Sequence, residues 1–388
     1  MAEPDLSAER TSLGELARLF LRLGATTFGG PAAHIAMMRE HVVRRRGWLT
    51  DAAFLDLVSA TNLIPGPNST ELAIHIGYQR RRWAGLLIAG VAFIAPAMLL
   101  TGALAWAYVR YDTVPAVGWF LYGVKPVILA VILQAIAGLA PRAAGTTGLR
   151  VLGGAAVLAL ALGAPELAVL FGAGLAAIIA HRARAPRRPD ERVAPSMFAP
   201  LLPAAATTTA AASLPSIFGV FAKIGSVLFG SGYVLVAFLR AELVQQRGWL
   251  TEGQLVDAVA VGQVTPGPVF TTATFIGYLL AGPSGALVAT AGIFLPAFVF
   301  VAASGPLVPR LRASPTAGAF LDGVNVASLA LMAAVTVRLG AATLIDGPTI
   351  ALALLGAALL IRYKLDATWL IVIGAAAGWG VHTLGWAG

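Results

Sequence analysis

Two copies of the tripeptide Pro-Gly-Pro are the residues of this chain best suited to bind a ligand. They are Pro65-Gly66-Pro67 and Pro266-Gly267-Pro268. Proline lacks the N–H that a helix interior needs and is favoured in the first turn of a helix, so each copy predicts that one helix ends and another begins. The start of a helix presents free N–H groups and a partial positive charge, which together bind anions where water is excluded. The motifs therefore predict a pair of anion-binding helix starts.

Polar side chains beside each motif supply further hydrogen-bond donors. Asn68, Ser69 and Thr70 follow the first copy, and Thr271 and Thr272 follow the second. Donors in one half of the chain are thus matched by donors in the other half.

A second pair of breaks is predicted at Phe28-Gly29-Gly30-Pro31 and at its counterpart Phe229-Gly230-Ser231-Gly232. Each half then contains two broken helices, and we expect all four helix starts to face inward. A break exposed to lipid would leave backbone groups unpaired at a cost of several kcal/mol each, so the breaks must line a cavity or be packed in protein. Breaks in matching positions of two halves are typical of a transporter's binding site.

Two cations occupy matching positions six residues before the Phe-Gly segments, namely Arg22 and Lys223. We interpret them as buried charges that hold an anionic substrate. The alternative is that they extend to the membrane interface or pair with Asp56 and Asp257. A third cation, Lys125, lies in an otherwise uncharged span of 26 residues, and its counterpart in the second half is the neutral Asn325.

Titratable groups near the breaks occur only in the first half. Glu71 is predicted to carry a proton, with His34 and His75 in secondary roles, because a carboxylate beside an anion site is repulsive unless it is protonated or paired. The alternative is that Glu71 only neutralises an arginine.

The predicted substrate-binding residues are the break residues of both halves and the three cations: Arg22, Phe28, Gly29, Gly30, Asn62, Pro65, Gly66, Pro67, Asn68, Ser69, Thr70, Lys125, Lys223, Gly230, Ser231, Gly232, Pro266, Gly267, Pro268, Thr271 and Thr272. We predict no catalytic residue, metal ligand or cofactor.

The composition predicts a polytopic membrane protein that is entirely α-helical. Of 388 residues, 58% are hydrophobic and 12% are charged, which is typical of chains that span a bilayer several times. Because the arginines lie between apolar runs, the net charge of +9 predicts loops that orient the chain rather than contact with nucleic acid. The first ten residues contain no apolar run, so we expect no cleavable signal peptide.

The chain is a duplication. At an offset of 201, Arg46-Gly47-Trp48-Leu49-Thr50 matches Arg247-Gly248-Trp249-Leu250-Thr251, and the Pro-Gly-Pro motifs coincide. After the motifs the offset becomes 200, which pairs Gly77-Tyr78 with Gly277-Tyr278. The Arg-Gly-Trp-Leu-Thr copies predict a turn with an interfacial tryptophan and a threonine that caps the next helix.

Helix lengths favour re-entrant hairpins at the breaks. The apolar segment 13–28 has 16 residues, or about 24 Å of helix, which is short of a hydrocarbon core of about 30 Å. Segments 52–64 and 68–79 repeat this pattern. Four further apolar segments, 83–108, 114–139, 149–162 and 166–180, complete the first half.

Loop charges predict that the two halves are inverted relative to each other. Arg80–Arg82 mark one loop as cytoplasmic, but the matching loop Ala281–Ser284 has no charge, and Arg310 and Arg312 lie in the next loop instead. We therefore expect a first repeat at 1–181, a polar linker at 182–195, an extra crossing helix at 196–214 and a second repeat at 215–388.

The duplicated motifs together resemble the chromate ion transporter family in its long two-domain form. The resemblance rests on Phe28-Gly29-Gly30-Pro31 with His34, on Arg46-Gly47-Trp48-Leu49, and on 62–67 with its counterpart in the second half. It implies export of chromate across a bacterial inner membrane, driven by the proton gradient, with recognition of sulfate-like oxyanions and antiparallel halves. The second half departs from the pattern at Ser231-Gly232 and at Gln263.

Two other function classes stay open at this point. A passive oxyanion channel fits the same residues. A membrane-embedded enzyme needs a nucleophile with a base, or metal ligands, yet the chain has no Gly-x-Ser-x-Gly, no His-Glu-x-x-His and only five dispersed histidines. The predicted partners are therefore a small inorganic oxyanion, protons and the lipid bilayer. The oligomeric state stays open, a homodimer included.

Overall fold

The computed structural model describes residues 11–28, 30–111, 115–184, 212–229, 234–312, 314–363, 365 and 367–383. This part of the chain is helical and contains no strand. The helices of the first half are α1 Leu13–Thr26, α2 Gly30–Arg39, α3 Asp51–Thr61, α4 Asn68–Tyr111, α5 Pro115–Ala143, α6 Thr147–Ala161 and α7 Glu166–Arg184. The helices of the second half are α8 Leu214–Val227, α9 Leu235–Leu239, α10 Glu252–Val264, α11 Thr272–Arg312, α12 Pro315–Thr343, α13 Gly347–Tyr363 and α14 Ala367–Thr383.

The predicted breaks coincide with helix ends. At the first Pro-Gly-Pro motif α3 ends at Thr61 and α4 begins at Asn68; at the second, α10 ends at Val264 and a short 3₁₀ turn leads into α11. The predicted crossing helix 196–214 lies almost entirely outside the described residues, as does the linker beyond Arg184.

Five segments are long and apolar enough to cross a membrane: 68–111, 121–141, 166–183, 269–304 and 315–343. With the shorter apolar helices α6, α8 and α13, they confirm a multi-pass membrane protein.

The matching turns before α3 and α10 fold as the repeat predicts. Thr50 accepts a hydrogen bond from the backbone N–H of Ala53, and Thr251 accepts one from Gln254, whose side chain in turn accepts from the backbone of Thr251. Each threonine therefore caps a helix start, as predicted.

α1 packs against the rest of the protein through its apolar face. Ser12 caps its start, and Leu16, Leu19, Phe20 and Leu23 are buried at helical spacing. Arg22 lies on the opposite face and is exposed, so the prediction that it is a buried cation is wrong.

The two long helices α4 and α11 are hairpins rather than continuous rods. Arg82 has φ 49° and Gly282 has φ 60°, and at these points the chain reverses. The two arms of α4 then pack so closely that a Cβ atom on Gly77 would collide with the backbone of Gly85, and Gly277 with Gly285 repeats this contact in α11. Segments 68–79 and 83–108 are therefore separate helices, as predicted.

The halves exchange their last two helices. α6 and α7 of the first half pack on α12 of the second, whereas α13 and α14 pack on α5 of the first. Small residues make these contacts close, since a Cβ atom on Gly323 would strike the backbone of Ala173 and one on Gly123 would strike Gly374. The two halves are therefore intertwined.

The equivalent helices α4 and α11 run in opposite directions. In the second arm of α4, Thr101 donates to the hydroxyl of Thr271 (3.4 Å), in the turn that leads into α11. Seven residues later, Tyr108 contacts Phe275 in the first arm of α11 (ring centroids 5.3 Å apart). The residue numbers rise in the same direction along both arms, so the two arms are parallel. Because that first arm is antiparallel to the second arm, the counterpart arms are antiparallel to each other. This agrees with the inverted repeat that the loop charges predict.

Candidate functional site

The two Pro-Gly-Pro breaks are bonded across the halves. The backbone N–H of Gly66 donates to the carbonyl oxygen of Leu228 (2.8 Å), and the N–H of Gly267 donates to that of Thr27 (3.0 Å). Thr27 and Leu228 are themselves repeat counterparts, just before the Phe-Gly segments. Each break is therefore anchored to the Phe-Gly segment of the opposite half.

Both motifs require glycine for conformation and for space. Gly66 has φ 141° and Gly267 has φ 90°, values that other residues rarely adopt. A Cβ atom at position 66 would collide with the carboxyl group of Glu71, and one at position 267 would lie 2.8 Å from the Cβ atom of Ala97 and 2.8 Å from the carbonyl oxygen of Gly24.

A cavity of about 750 Å³ lies between the breaks. Both helix starts reach it, the first through Pro67, Asn68 and Ser69 and the second through Pro268 and Val269. The other described lining residues come from α2, α3, α5, α9, α12 and the remaining break positions: Pro31, Ile35, Val58, Asn62, Val131, Gln134, Ala135, Gly138, Leu139, Ala143, Val234, Phe270, Asp322, Asn325, Ser328, Leu329 and Met332. The structure thus brings both motifs to one cavity, as their matching positions suggest.

The polar lining is made of amides and hydroxyls. Asn68 donates to the side chain of Asn62 (2.7 Å), which links the two sides of the first break. Gln134 and Asn325 add amide groups from α5 and α12. No lysine or arginine lines the cavity in the described part of the chain, and Asp322 is the charged residue that does so.

Sequence reasoning missed Gln134, Asp322 and Asn325 as lining residues. A signal for Asp322 was present, because it is an acidic residue inside an apolar span, the same argument that singles out Lys125 in the matching helix. Gln134 and Asn325 carry no such signal, since neutral amides are common in helices that pack inside proteins.

His34 is tied to the first break. Its Nδ1 lies 3.2 Å from Ser69 Oγ, and its Nε2 lies 3.2 Å from the carbonyl oxygen of Thr27. The carbonyl can only accept, so Nε2 carries the proton, and Nδ1 accepts from the serine hydroxyl in the neutral ring. One imidazole therefore joins the Phe-Gly segment to the start of α4.

Glu71 is fully buried one turn into α4, next to Gly66. Neither of its carboxyl oxygens has a hydrogen-bond partner among the described residues, and neither does Nε2 of His75, one helical turn further on. No ion pair to an arginine is present at Glu71 in the same residues, which contradicts the alternative that it only neutralises an arginine.

The predicted cations do not converge on the cavity in this structure. Lys223 pairs with Glu242 instead of Asp257, and Asp257 pairs with Lys125 (2.9 Å). The alternative pairing predicted for Lys223 is therefore wrong.

The threonines of the second half are buried but do not line the cavity. Thr271 donates to the carbonyl oxygen of Pro268 (2.8 Å), and Thr272 donates to that of Val269 (2.8 Å). Thr70 is buried without lining the cavity, and Phe28 is partly exposed. The predicted residues Gly29, Gly230, Ser231 and Gly232 lie outside the described residues.

A profile of the chromate transporter family matches residues 14–178 and 215–379. The chain belongs to the chromate transporter family. It is 36% identical over 95% of its length to a chromate transport protein of Cupriavidus metallidurans, of which 93% is covered. A chromate transport protein of Pseudomonas aeruginosa is 31% identical over 95% of this chain and 92% of its own. A probable chromate transport protein of Synechococcus elongatus is 31% identical over 95% of both chains.

No solved structure gives a significant match to this fold. The family match falls on each half separately, which confirms the duplication, and the family consists of transporters. An enzymatic function is therefore excluded, as the sequence predicts.

Proposed function

We propose that this protein exports chromate across the bacterial inner membrane, and that the ion binds in the cavity between the two Pro-Gly-Pro breaks. The observation that carries the proposal is that the start of α4 and the 3₁₀ turn that leads into α11, from opposite halves, reach one cavity. Two helix N-termini directed at the same space favour an anion in it. The names of the relatives from Cupriavidus and Pseudomonas indicate which anion.

The lining suits a tetrahedral oxyanion. The side-chain amides of Asn62, Asn68 and Asn325 can donate hydrogen bonds from several directions. At about 30 Å³ per water molecule, a cavity of this size accommodates the oxyanion with part of its hydration shell. Sulfate has the same shape and charge, so we include it as a second substrate.

Glu71 is the proposed proton carrier. An ionised carboxylate without a hydrogen-bond donor is costly to bury, and binding a proton removes that cost. Its position against Gly66 places any change of charge next to the break that shapes the cavity. His34 and His75 are proposed to assist, His34 through its contact with Ser69.

The test is chromate uptake into inverted membrane vesicles from cells that produce the protein, with and without a pH gradient. Uptake of sulfate, molybdate and phosphate is measured in the same way. We expect saturable uptake of chromate that the gradient accelerates and that sulfate inhibits. Uptake that follows voltage with no proton movement would support a passive channel, and absence of any chromate flux would refute the proposal.

Variants of the cavity lining distinguish transport through the cavity from general leakage of the vesicles. Asn68→Leu and Asn325→Leu should each reduce chromate uptake strongly, because each removes a donor and adds an apolar group to the lining. Neither substitution alters the hairpin contacts of α4 and α11, so protein levels in the membrane should stay near normal.

A further inference from the structure

The cavity is lined unequally by the two equivalent helices α5 and α12. In α12 the lining residues lie between 322 and 332, near its start, whereas in α5 they lie between 131 and 143, near its end. At the repeat offset of 200, residues 322–332 of α12 correspond to 122–132 of α5. The halves therefore adopt different arrangements around the cavity.

An inverted repeat can exchange these arrangements. When the first half takes up the conformation that the second half has now, and the reverse, the cavity opens toward the opposite side of the membrane. In that exchanged state the start of α5 becomes the lining segment. Lys125 then takes the place that its counterpart Asn325 has in the present cavity.

In the present structure Lys125 is held elsewhere. Its Nζ lies 2.9 Å from Oδ1 of Asp257 in α10, and the hydroxyl of Tyr108 donates to Oδ2 of the same carboxylate (3.0 Å). The side chain of Asp257 is only 6% exposed. A buried carboxylate of the second half thus forms an ion pair with the ammonium group of the first half.

The repeat counterpart of Asp257 indicates how exposed Asp257 becomes in the exchanged state, when its ion pair with Lys125 is broken. Asp56 occupies the same position in the first repeat and is exposed. Asp257 would gain this exposure in the exchanged state, so its carboxylate would no longer be buried in protein. Separating the pair is then far cheaper than breaking a buried pair in place.

We propose that Lys125 binds the oxyanion in the opposite-facing conformation and that Asp257 is the internal anion that it exchanges for the substrate. This inference rests on the proposed function, because it supplies a cation that the described residues lining the present cavity do not include. One ammonium group pairs alternately with Asp257 and with the oxyanion. Asp257 therefore competes with the substrate and lowers its apparent affinity.

The first experiment is a double-mutant cycle on chromate binding to the purified protein, measured by calorimetry. Asp257→Asn should tighten binding on the order of tenfold, Lys125→Gln should weaken it by a similar factor, and the double variant should bind as weakly as Lys125→Gln. If the pair is only structural, both single variants lose affinity and the double variant recovers it, which would overturn the proposal.

The matched control is the ion pair of Arg240 with Glu252, which likewise involves a carboxylate of α10 but joins it to the segment before that helix. Arg240→Gln, Glu252→Gln and their combination should leave chromate affinity unchanged. A change as large as that of the Lys125 variants would mean that any lost ion pair perturbs binding, and would count against a specific role of Lys125.

The second experiment keeps the proposal testable where a variant binds poorly. The chain has no cysteine, so Lys125→Cys can be treated with aminoethyl methanethiosulfonate, which restores a positive charge, or with the neutral methyl reagent. The aminoethyl group should restore chromate affinity and the methyl group should not. Equal effects of both reagents, or no reaction at position 125, would overturn the proposal.

Failure of the two proposals can be told apart. If the wild type binds no chromate, the proposed function fails, yet reaction of the Lys125→Cys variant with the hydrophilic reagent still reports whether position 125 reaches water in the exchanged state. If the wild type binds chromate and the cycle gives the structural pattern, only the role of Lys125 fails.

Discussion

The backbone N–H of Gly66 donates to the carbonyl oxygen of Leu228 at 2.8 Å, so the break of the first half is held by the second. In the reciprocal hydrogen bond, Gly267 of the second half donates to the carbonyl oxygen of Thr27 in the first half. A movement of one half relative to the other must strain or replace both bonds. The breaks therefore both line the cavity and form a contact between the halves.

Gly66→Ala and Gly267→Ala should each impair transport. A left-handed backbone costs a non-glycine residue roughly 1–2 kcal/mol, and the added Cβ atom also displaces Glu71 in the first case and Ala97 in the second. We expect the loss at position 66 to be larger, because it moves the proposed proton carrier. The measurement is chromate uptake into inverted vesicles at equal protein levels.

Gly219→Ala is the matched control for these variants. Gly219 lies inside α8, and a Cβ atom there meets nothing within 4 Å. Alanine favours helix over glycine, so this change should leave uptake intact. Normal uptake by both break variants would mean that the transport site does not depend on the glycines.

Local chemistry explains which features of the fold are predictable. Pro65 and Pro67 lack the backbone N–H that a helix interior needs, and their rings are tolerated only in the first turn of a helix. The break can therefore be predicted from the sequence. The cap by Thr50 and the reversal after Arg81 also depend on a few neighbouring residues. These features needed no knowledge of the rest of the chain.

Contacts between the halves were not predictable in the same way. Nothing near Gly66 in the sequence marks Leu228 as its partner, and nothing near Lys125 marks Asp257. Such pairs depend on how helices of opposite halves pack, as α5 does on α10, and apolar periodicity is the same whichever helix a helix packs on. The sequence therefore predicted residues at the breaks that line the cavity, whereas the partners of the cations and the α12 side of the cavity were missed.

The double variant Pro65→Ala with Pro67→Ala should abolish transport while the protein still inserts. Alanine lets α3 continue toward α4, which removes the free N–H groups of the helix start from the cavity. In the wild type the carbonyl oxygen of Pro67 accepts from Thr70 and Glu71, so the helix start is already well formed there. Loss of chromate binding with normal membrane levels is the expected result.

Pro165→Ala is the control for the proline variants, since Pro165 precedes α7 and does not line the cavity. It should transport normally. A double variant at the break that binds chromate as tightly as the wild type would show that the helix start is not the anion site.

Glu71→Gln should uncouple transport from protons. Glutamine keeps the volume of the buried side chain but can neither gain nor lose a proton, so chromate exchange should persist while a pH gradient no longer accelerates uptake. The experiment compares chromate counterflow with gradient-driven uptake in the same vesicles.

Glu15→Gln is the control here, because Glu15 is an exposed carboxylate on α1 that pairs with Arg46 (3.5 Å). Its uptake should respond to the gradient as the wild type does. A Glu71→Gln protein with unchanged gradient-driven uptake would assign proton coupling to another group.

The tips of the two hairpins should face opposite sides of the membrane. Arg81 lies where α4 reverses, and Pro283 lies directly after the matching reversal of α11 at Gly282. The counterpart arms of the two hairpins are antiparallel, and the basic loop Arg80–Arg82 belongs on the cytoplasmic side. Arg81→Cys should therefore react with a membrane-impermeant thiol reagent from the cytoplasm, and Pro283→Cys from the periplasm.

Labelling is read in intact cells and in inverted vesicles, with the cysteine-free wild type as the blank. Reaction of both variants from the same side would rule out an inverted repeat. It would also remove the basis for exchanging the two conformations, because halves with the same orientation cannot open the cavity to opposite sides by trading their arrangements. Reaction from opposite sides supports both the topology and the alternation of Lys125 between Asp257 and the substrate.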